Sequence, residues 1–229
     1  MFKRELFNED HEAFRDTVRR FVENEIAPHH AAWEAAGVVP RELWKKAGAA
    51  GMLCCTVPER YGGIGVDYLF DVVVFEEMAR SGFTGPGFMI HCDLVATYIA
   101  SFGSEAQKQQ WLPKMVAGEA IGSLAMTEPH AGSDLKAIRT KAVRHGDDYV
   151  ISGQKVFISN GQLFDVIVLA TKTDSTAGAR GVTLLPVDTG LPALPPGHCP
   201  DEDGPGHGNG PVMPGGRVST DGGPTGQYL

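Results

Sequence analysis

Between Leu124 and Asp134 the chain reads LAMTEPHAGSD, with hydroxyls at Thr127 and Ser133, a carboxylate at Glu128, a rigid turn at Pro129 and bare backbone at Gly132. Backbone N–H groups exposed by a glycine, with a neighbouring hydroxyl such as Ser133, suit a nucleotide phosphate. A flavin ring asks for a hydroxyl donor and strand-end amides along its heteroatom edge, with an apolar surface behind. Thr127 and Ser159 put hydroxyls on two separate candidate strands, and Phe157 adds an aromatic face. The same stretch also reads as a strand ending in a tight turn, with Ser133 or Asp134 capping the next segment. No GxGxxG follows a strand and no GxxxxGK[ST] occurs, so Rossmann and P-loop binding have no support. The residues by themselves point to a nucleotide cofactor on a β domain and go no further.

The elements that must position these groups fall into three regimes. Up to about Gly118 the pattern is helical: Phe14, Val18, Phe21, Val22 and Ile26 share one face, and Pro28 closes that helix. Pro40 opens PRELWKKAGAAG, which Gly51 stops, and VPERYGGIG is a turn-rich connector. Asp67 is placed to cap YLFDVVVFEEMARSG, FMIHCDLVATYIASFG ends at Gly103, and Ser104 caps EAQKQQWLPKMVAGE. From Ile121 the period changes. IGSLAMTE is β-compatible, and IRTKAVRHGDDYVISGQKVFIS alternates around a His-Gly-Asp-Asp turn, a hairpin signal. DVIVLATKTD and GVTLLPVD are further buried strands. Helices followed by strands predict an α+β chain with a helical domain at 1–120 and a β domain at 121–189. The segment 190–229 is nearly half Gly and Pro and is expected to be a disordered tail.

Composition narrows the classes. At 229 residues and 42% hydrophobic content the chain can fill a real core, and a net charge of −8 leaves no nucleic-acid footprint. The opening MFKRELFNEDHEAFRD lacks a secretory apolar core, and no run reaches membrane-spanning length. A soluble, cytoplasmic chain with no membrane partner is the expectation. Cys54, Cys55, Cys92 and Cys199 show no CxxC spacing, and adjacent Cys54 and Cys55 read as small buried hydrophobes. His198, Cys199, Asp201 and His207 carry metal-ligand chemistry without a diagnostic spacing.

AMTEPHAGSDLKA resembles the flavin-binding signature of the acyl-CoA dehydrogenase family. VPERYGGIG, FGSEAQKQQWLPKMVAGE and GQKVFISNG resemble that family's other blocks in the same order, from about Phe7 to Thr189. The resemblance implies an N-terminal all-helical domain followed by an antiparallel β-barrel, incomplete here, with FAD between them. Leu124, Met126, Thr127, Gly132 and Ser133 would border the ring and pyrophosphate, with Thr127 donating to the ring and Ser133 near the cofactor or the thioester arm. Phe157, Ile158 and Ser159 would lie beside the ring, Ser159 near its redox nitrogen. The implied reaction is α,β-desaturation of an acyl-CoA, with hydride passing to flavin N5 and electrons going on to an electron-transfer flavoprotein.

The family's catalytic base is a glutamate from a C-terminal helical bundle, so no catalytic residue is assigned here. Glu128 is expected to satisfy backbone donors instead. His130 is expected to be an exposed turn residue, and His91 either a satisfied core histidine or part of an acyl pocket. The likeness stops near RGVTLLPVDTGLP, and ALPPGHCPDEDGPGHGNG has the composition of a GC-rich gene read out of frame. Resequencing the locus tests that hypothesis, and an intact frame beyond residue 190 defeats it. An incomplete, inactive dehydrogenase is the leading expectation. An oxidase-like flavoprotein and a non-catalytic fragment are the alternatives. Intact members would be homo-oligomers built through that bundle, so association without symmetry is expected here.

Overall fold

The computed structural model describes residues 6–146, 148–188, 210–212 and 216–219. Helix α1 (Glu9–Phe21) begins at a reciprocal cap. Asn8 Oδ1 accepts from the His11 amide at 3.0 Å, and the Asn8 amide donates to His11 Nδ1 at 3.1 Å. A wider π-type turn, Val22–Ile26, carries the chain to Pro28, and Val18, Val22 and Ile26 of the expected face are fully buried. A short helix that periodicity did not announce, α2 (His30–Ala36), ends at Gly37, whose φ of 68° only glycine adopts freely.

Helix α3 (Arg41–Ala49) starts directly after Pro40, and α4 (Leu69–Ser81) is preceded by Asp67, whose carboxylate accepts from the Leu69 amide at 2.8 Å. A π-type stretch, Ile90–Ala96, leads into α5 (Thr97–Phe102). Ser104 and Gln107 then form the capping box of α6 (Glu105–Val116). Trp44, Met52, Leu112, Met115 and Ile121 centre one apolar core. Among the described residues, no helix is long and apolar enough to cross a membrane.

The strands are β1 (Gly122–Ala125), β2 (Lys141–His145), β3 (Asp148–Ser152), β4 (Lys155–Ile158), β5 (Val166–Lys172), β6 (Val182–Asp188), β7 (Gly210–Val212) and β8 (Gly216–Ser219). The predicted hairpin is present, with β2 and β3 antiparallel and His145 opposite Asp148. One sheet runs β1-β5-β2-β3-β8, with β6 also on β5, and β4 pairs β7 separately. In place of the expected incomplete antiparallel barrel, the described residues form an unclosed sheet, and its antiparallel pairing is corrected to mixed. β1 lies parallel to β5, and β2 meets β5 in parallel only at Lys141 and Lys172. The reason is connectivity: β1 reaches β5 only by a crossover through three intervening strands, long enough to bring two strands side by side in the same direction. Within the expected tail, β7 and β8 pair with β4 and β3. The rest of that segment, with His198, Cys199, Asp201 and His207, lies outside the described residues.

β1 is pressed between sheet and helices. A Cβ on Gly122 would stand 2.8 Å from Val95 Cγ1 and 2.9 Å from Met115 Cε, so only glycine lets the strand this close. Its amide donates to His91 Nδ1 at 2.9 Å, and His91 Nε2 is 3.1 Å from the Met115 carbonyl. Arg41 bridges the same seam from α3, donating to the Leu163 carbonyl at 2.7 Å and pairing with Asp165, which also accepts from the Ile121 amide.

Candidate functional site

Beyond Ala125 the chain leaves the sheet, and β4 comes alongside it. The Val156 amide donates to the Thr127 carbonyl at 3.0 Å. Glu128 and Ala131 exchange backbone hydrogen bonds of 2.8 and 3.0 Å, closing a tight turn over Pro129 and His130. Gly132 and Ser133 come next and are exposed, and a Cβ on Gly132 would meet open space.

Opposite Thr127, β4 is irregular. Its register on β7 shifts between Lys155 and Ile158, and Phe157 has φ 57°. A left-handed non-glycine residue costs about 1–3 kcal/mol and persists only where its surroundings hold it. Here the bulge turns the Phe157 ring outward, 67% exposed, while Ile158 stays buried at 1%. Asn160 is the next left-handed residue, at φ 61°, so Ile158 and Ser159 sit between two such positions. Ser123 Oγ donates to the Ser159 carbonyl at 2.6 Å, and Asn160 Nδ2 donates to the carbonyls of Gly87 and Gly122 at 3.2 and 3.1 Å.

Thr127, Phe157 and Ser159 are therefore brought together on two neighbouring backbone segments. Thr127 and Ser159 are half-buried, and neither hydroxyl has a protein partner among the described residues. Leu124 and Ile158 bury their side chains in the core and offer a ligand only backbone, whereas Met126 is half-buried against both helices and sheet. A cavity of about 160 Å³ opens at the helix–sheet seam, lined by Ser159, Asn160 and Leu163 on one side and His30, Trp33 and Gly87 on the other. Ser159 reaches this hollow; Thr127 is not among its lining. Two hydroxyls unengaged among the described residues, an outward aromatic ring and an exposed glycine turn are groups whose chemistry suits a flat heteroaromatic ligand such as FAD.

Beneath this edge lies an ion pair that the sequence did not disclose. Lys155 is 2% exposed and Glu128 1%, and their charged atoms are 2.9 Å apart. Lys155 Nζ also donates to the Met126 carbonyl at 2.9 Å. Glu128 accepts from the Arg139 amide at 2.6 Å and the Thr140 amide at 3.0 Å, fulfilling the expected backbone role. His130, at the exposed turn, lies 3.2 Å from the same carboxylate. Burial pushes the Glu128 carboxyl up, but hydrogen bonds from Thr140, Lys155 and Arg139 outweigh it and hold the group down at about 2. Burial pulls the Lys155 ammonium down, an effect its partner only partly offsets.

Cys54, His91 and Cys92 form a second cluster, with potential ligand atoms within 4.8 Å of one another. Both His91 nitrogens are already committed, Nδ1 accepting from Gly122 and Nε2 facing the Met115 carbonyl, while Cys92 Sγ accepts from the Cys54 amide. With no nitrogen lone pair left, His91 is a satisfied core histidine and the cluster is not a metal centre. Cys54 and Cys55 are buried free thiols, as small hydrophobes would be.

Known proteins resemble the chain over both its helical and its sheet portions. The family model for the acyl-CoA dehydrogenase N-terminal domain matches residues 8–119, and that for the middle domain matches residues 123–207. The chain is 48% identical over 190 residues to the mitochondrial long-chain specific acyl-CoA dehydrogenase of Sus scrofa, covering 82% of this chain and 44% of that protein. The structure of an acyl-CoA dehydrogenase from Geobacillus kaustophilus superposes with a TM-score of 0.90 at 42% identity, over 96% of this chain and 59% of that one. A glutaryl-CoA dehydrogenase from Mycobacterium smegmatis in complex with FADH2 gives a TM-score of 0.84 at 28% identity, covering 95% and 55%. The chain thus spans about half the length of the curated relatives it matches.

Proposed function

Because the chain belongs to the acyl-CoA dehydrogenase family through both its helical and its sheet portions, we propose that it forms the FAD-holding part of an enzyme that desaturates acyl-CoA thioesters at the α,β bond. The observation that carries this reading is that Thr127 and Ser159, whose hydroxyls have no partner among the described residues, flank the β4 bulge that exposes the Phe157 ring. When bound, FAD supplies the acceptor for the hydride that leaves the β-carbon. Thr127 and Ser159 would donate to the ring edge, Phe157 would shield it from water, and the Gly132–Ser133 turn would offer backbone N–H and hydroxyl to a phosphate or to the thioester arm.

Abstraction of the α-proton needs a base titrating near the working pH. Glu128 cannot serve, because it stays ionised down to about 2 and its lone pairs are occupied. The base is contributed by protein outside the described residues, as are most contacts to the CoA nucleotide. A positioned base is worth roughly 10²–10⁴ in rate, so residues 1–229 alone are expected to desaturate acyl-CoA slower by at least that factor. An electron-transfer flavoprotein would be the partner that carries the electrons onward.

Titrating the purified chain with FAD tests the assignment. Saturable quenching of flavin fluorescence is expected, weakened in Thr127→Val and in Ser159→Ala. Absence of saturable binding overturns the cofactor reading. Bleaching of the bound flavin by an acyl-CoA overturns the placement of the base.

A further inference from the structure

Thr127 is gripped on both sides by one side chain. Lys155 Nζ takes the carbonyl of Met126, the residue before it, and the carboxylate of Glu128, the residue after it, each at 2.9 Å. The free lone pairs of that carboxylate take the Arg139 and Thr140 amides, which lead into β2. Lys155 itself opens β4, whose next residue, Val156, holds the Thr127 carbonyl, with Phe157 and Ser159 close behind. An apolar pair of equal volume is often no less stable than a buried ion pair. What such a pair cannot do is bind a carbonyl, a carboxylate and two amides in fixed directions at once.

We propose that Lys155 and Glu128 are positioning residues: buried, touching no ligand, they set how Thr127 faces Phe157 and Ser159, and their opposed charges set the potential at that edge. The proposal rests on the FAD reading above. Three variants of the full chain test it: Lys155→Met, Glu128→Gln, and the double variant Lys155→Met/Glu128→Gln. Each single change is expected to weaken FAD binding roughly tenfold to a hundredfold, the scale seen when supporting partners of a bound group are lost. The potential of the bound flavin should move in opposite senses, more negative when the cation is removed and more positive when the anion is.

The double variant should recover the melting temperature but not the affinity. A merely structural pair would restore both together, and that result, or potential shifts of the same sign, overturns the proposal. If the unaltered chain binds no FAD, the cofactor reading falls separately. Hydrogen exchange at the Val156 amide then decides: faster exchange in the double variant, at unchanged global stability, is expected, and unaltered protection refutes the positioning role.

Discussion

Two carboxylates, Glu77 in α4 and Glu128 below the site, are almost equally buried, at 3% and 1% exposure. They are satisfied in different ways. Glu77 is surrounded by guanidinium groups on long arms, from Arg15 at 3.4 Å, Arg19 at 3.1 Å and Arg80 at 2.9 Å, and both Arg19 and Arg80 reach into solvent. Glu128 is met by two backbone amides, by one ammonium that is itself buried, and by the His130 ring at the turn. In both, burial pushes the carboxyl up and its partners more than offset that. The arms around Glu77 can re-pair when one is lost, so they clamp α1 to α4 without fixing any atom closely. The partners of Glu128 are anchored by the main chain, so they transmit position. That contrast separates a clamp from a template.

The largest effect should come from breaking the template on one side. Lys155→Met removes the buried counter-charge of Glu128, leaving only the half-exposed His130 beside it, and is expected to cost roughly 3–5 kcal/mol in urea unfolding. A loss below 1 kcal/mol would erase the distinction from Glu77. Next is acid. Glu128 has its carboxyl depressed to about 2 from an ordinary 4.5, so its contribution is present above the ordinary value and disappears as pH falls through the folded one. The difference is about 3 kcal/mol, which urea midpoints between pH 5 and pH 2 should reveal and Glu128→Gln should flatten. Third, Phe157→Gly should relieve the left-handed backbone and raise thermal stability by about 1 kcal/mol, whereas Phe157→Ala should not. The smallest effect belongs to the clamp. Arg80→Ala, removing an arm that is 54% exposed, should change unfolding free energy by about 0–1 kcal/mol.

What could be read from sequence was whatever nearby residues decide among themselves. The buried stripe Val18, Val22 and Ile26, the Ser104 capping box and the hairpin between β2 and β3 each depend on neighbours a few positions away. Thr127, Phe157 and Ser159 stood out because hydroxyls and a ring cluster in short motifs that also carry the family likeness. The helix α2 was hidden by its brevity, and the parallel placement of β1 by β5, which supplies its partner only at Val166. Lys155, Ser123 and Asn160 could not be singled out, since their hydrogen-bond partners lie 27 to 73 residues away along the chain. A lysine opening an otherwise apolar strand was the one available hint.

The glycine at 122 also bears on how this molecule can be divided. Its strand is threaded through a slot whose walls are Val95 and Met115, and its amide is claimed by His91. A cut near residue 120, which looks like a module border in the linear text, would therefore open the interior of one body. A chimera that borrows the sheet from one relative and the helices from another must import the slot with the strand, or it will inherit two halves that no longer close.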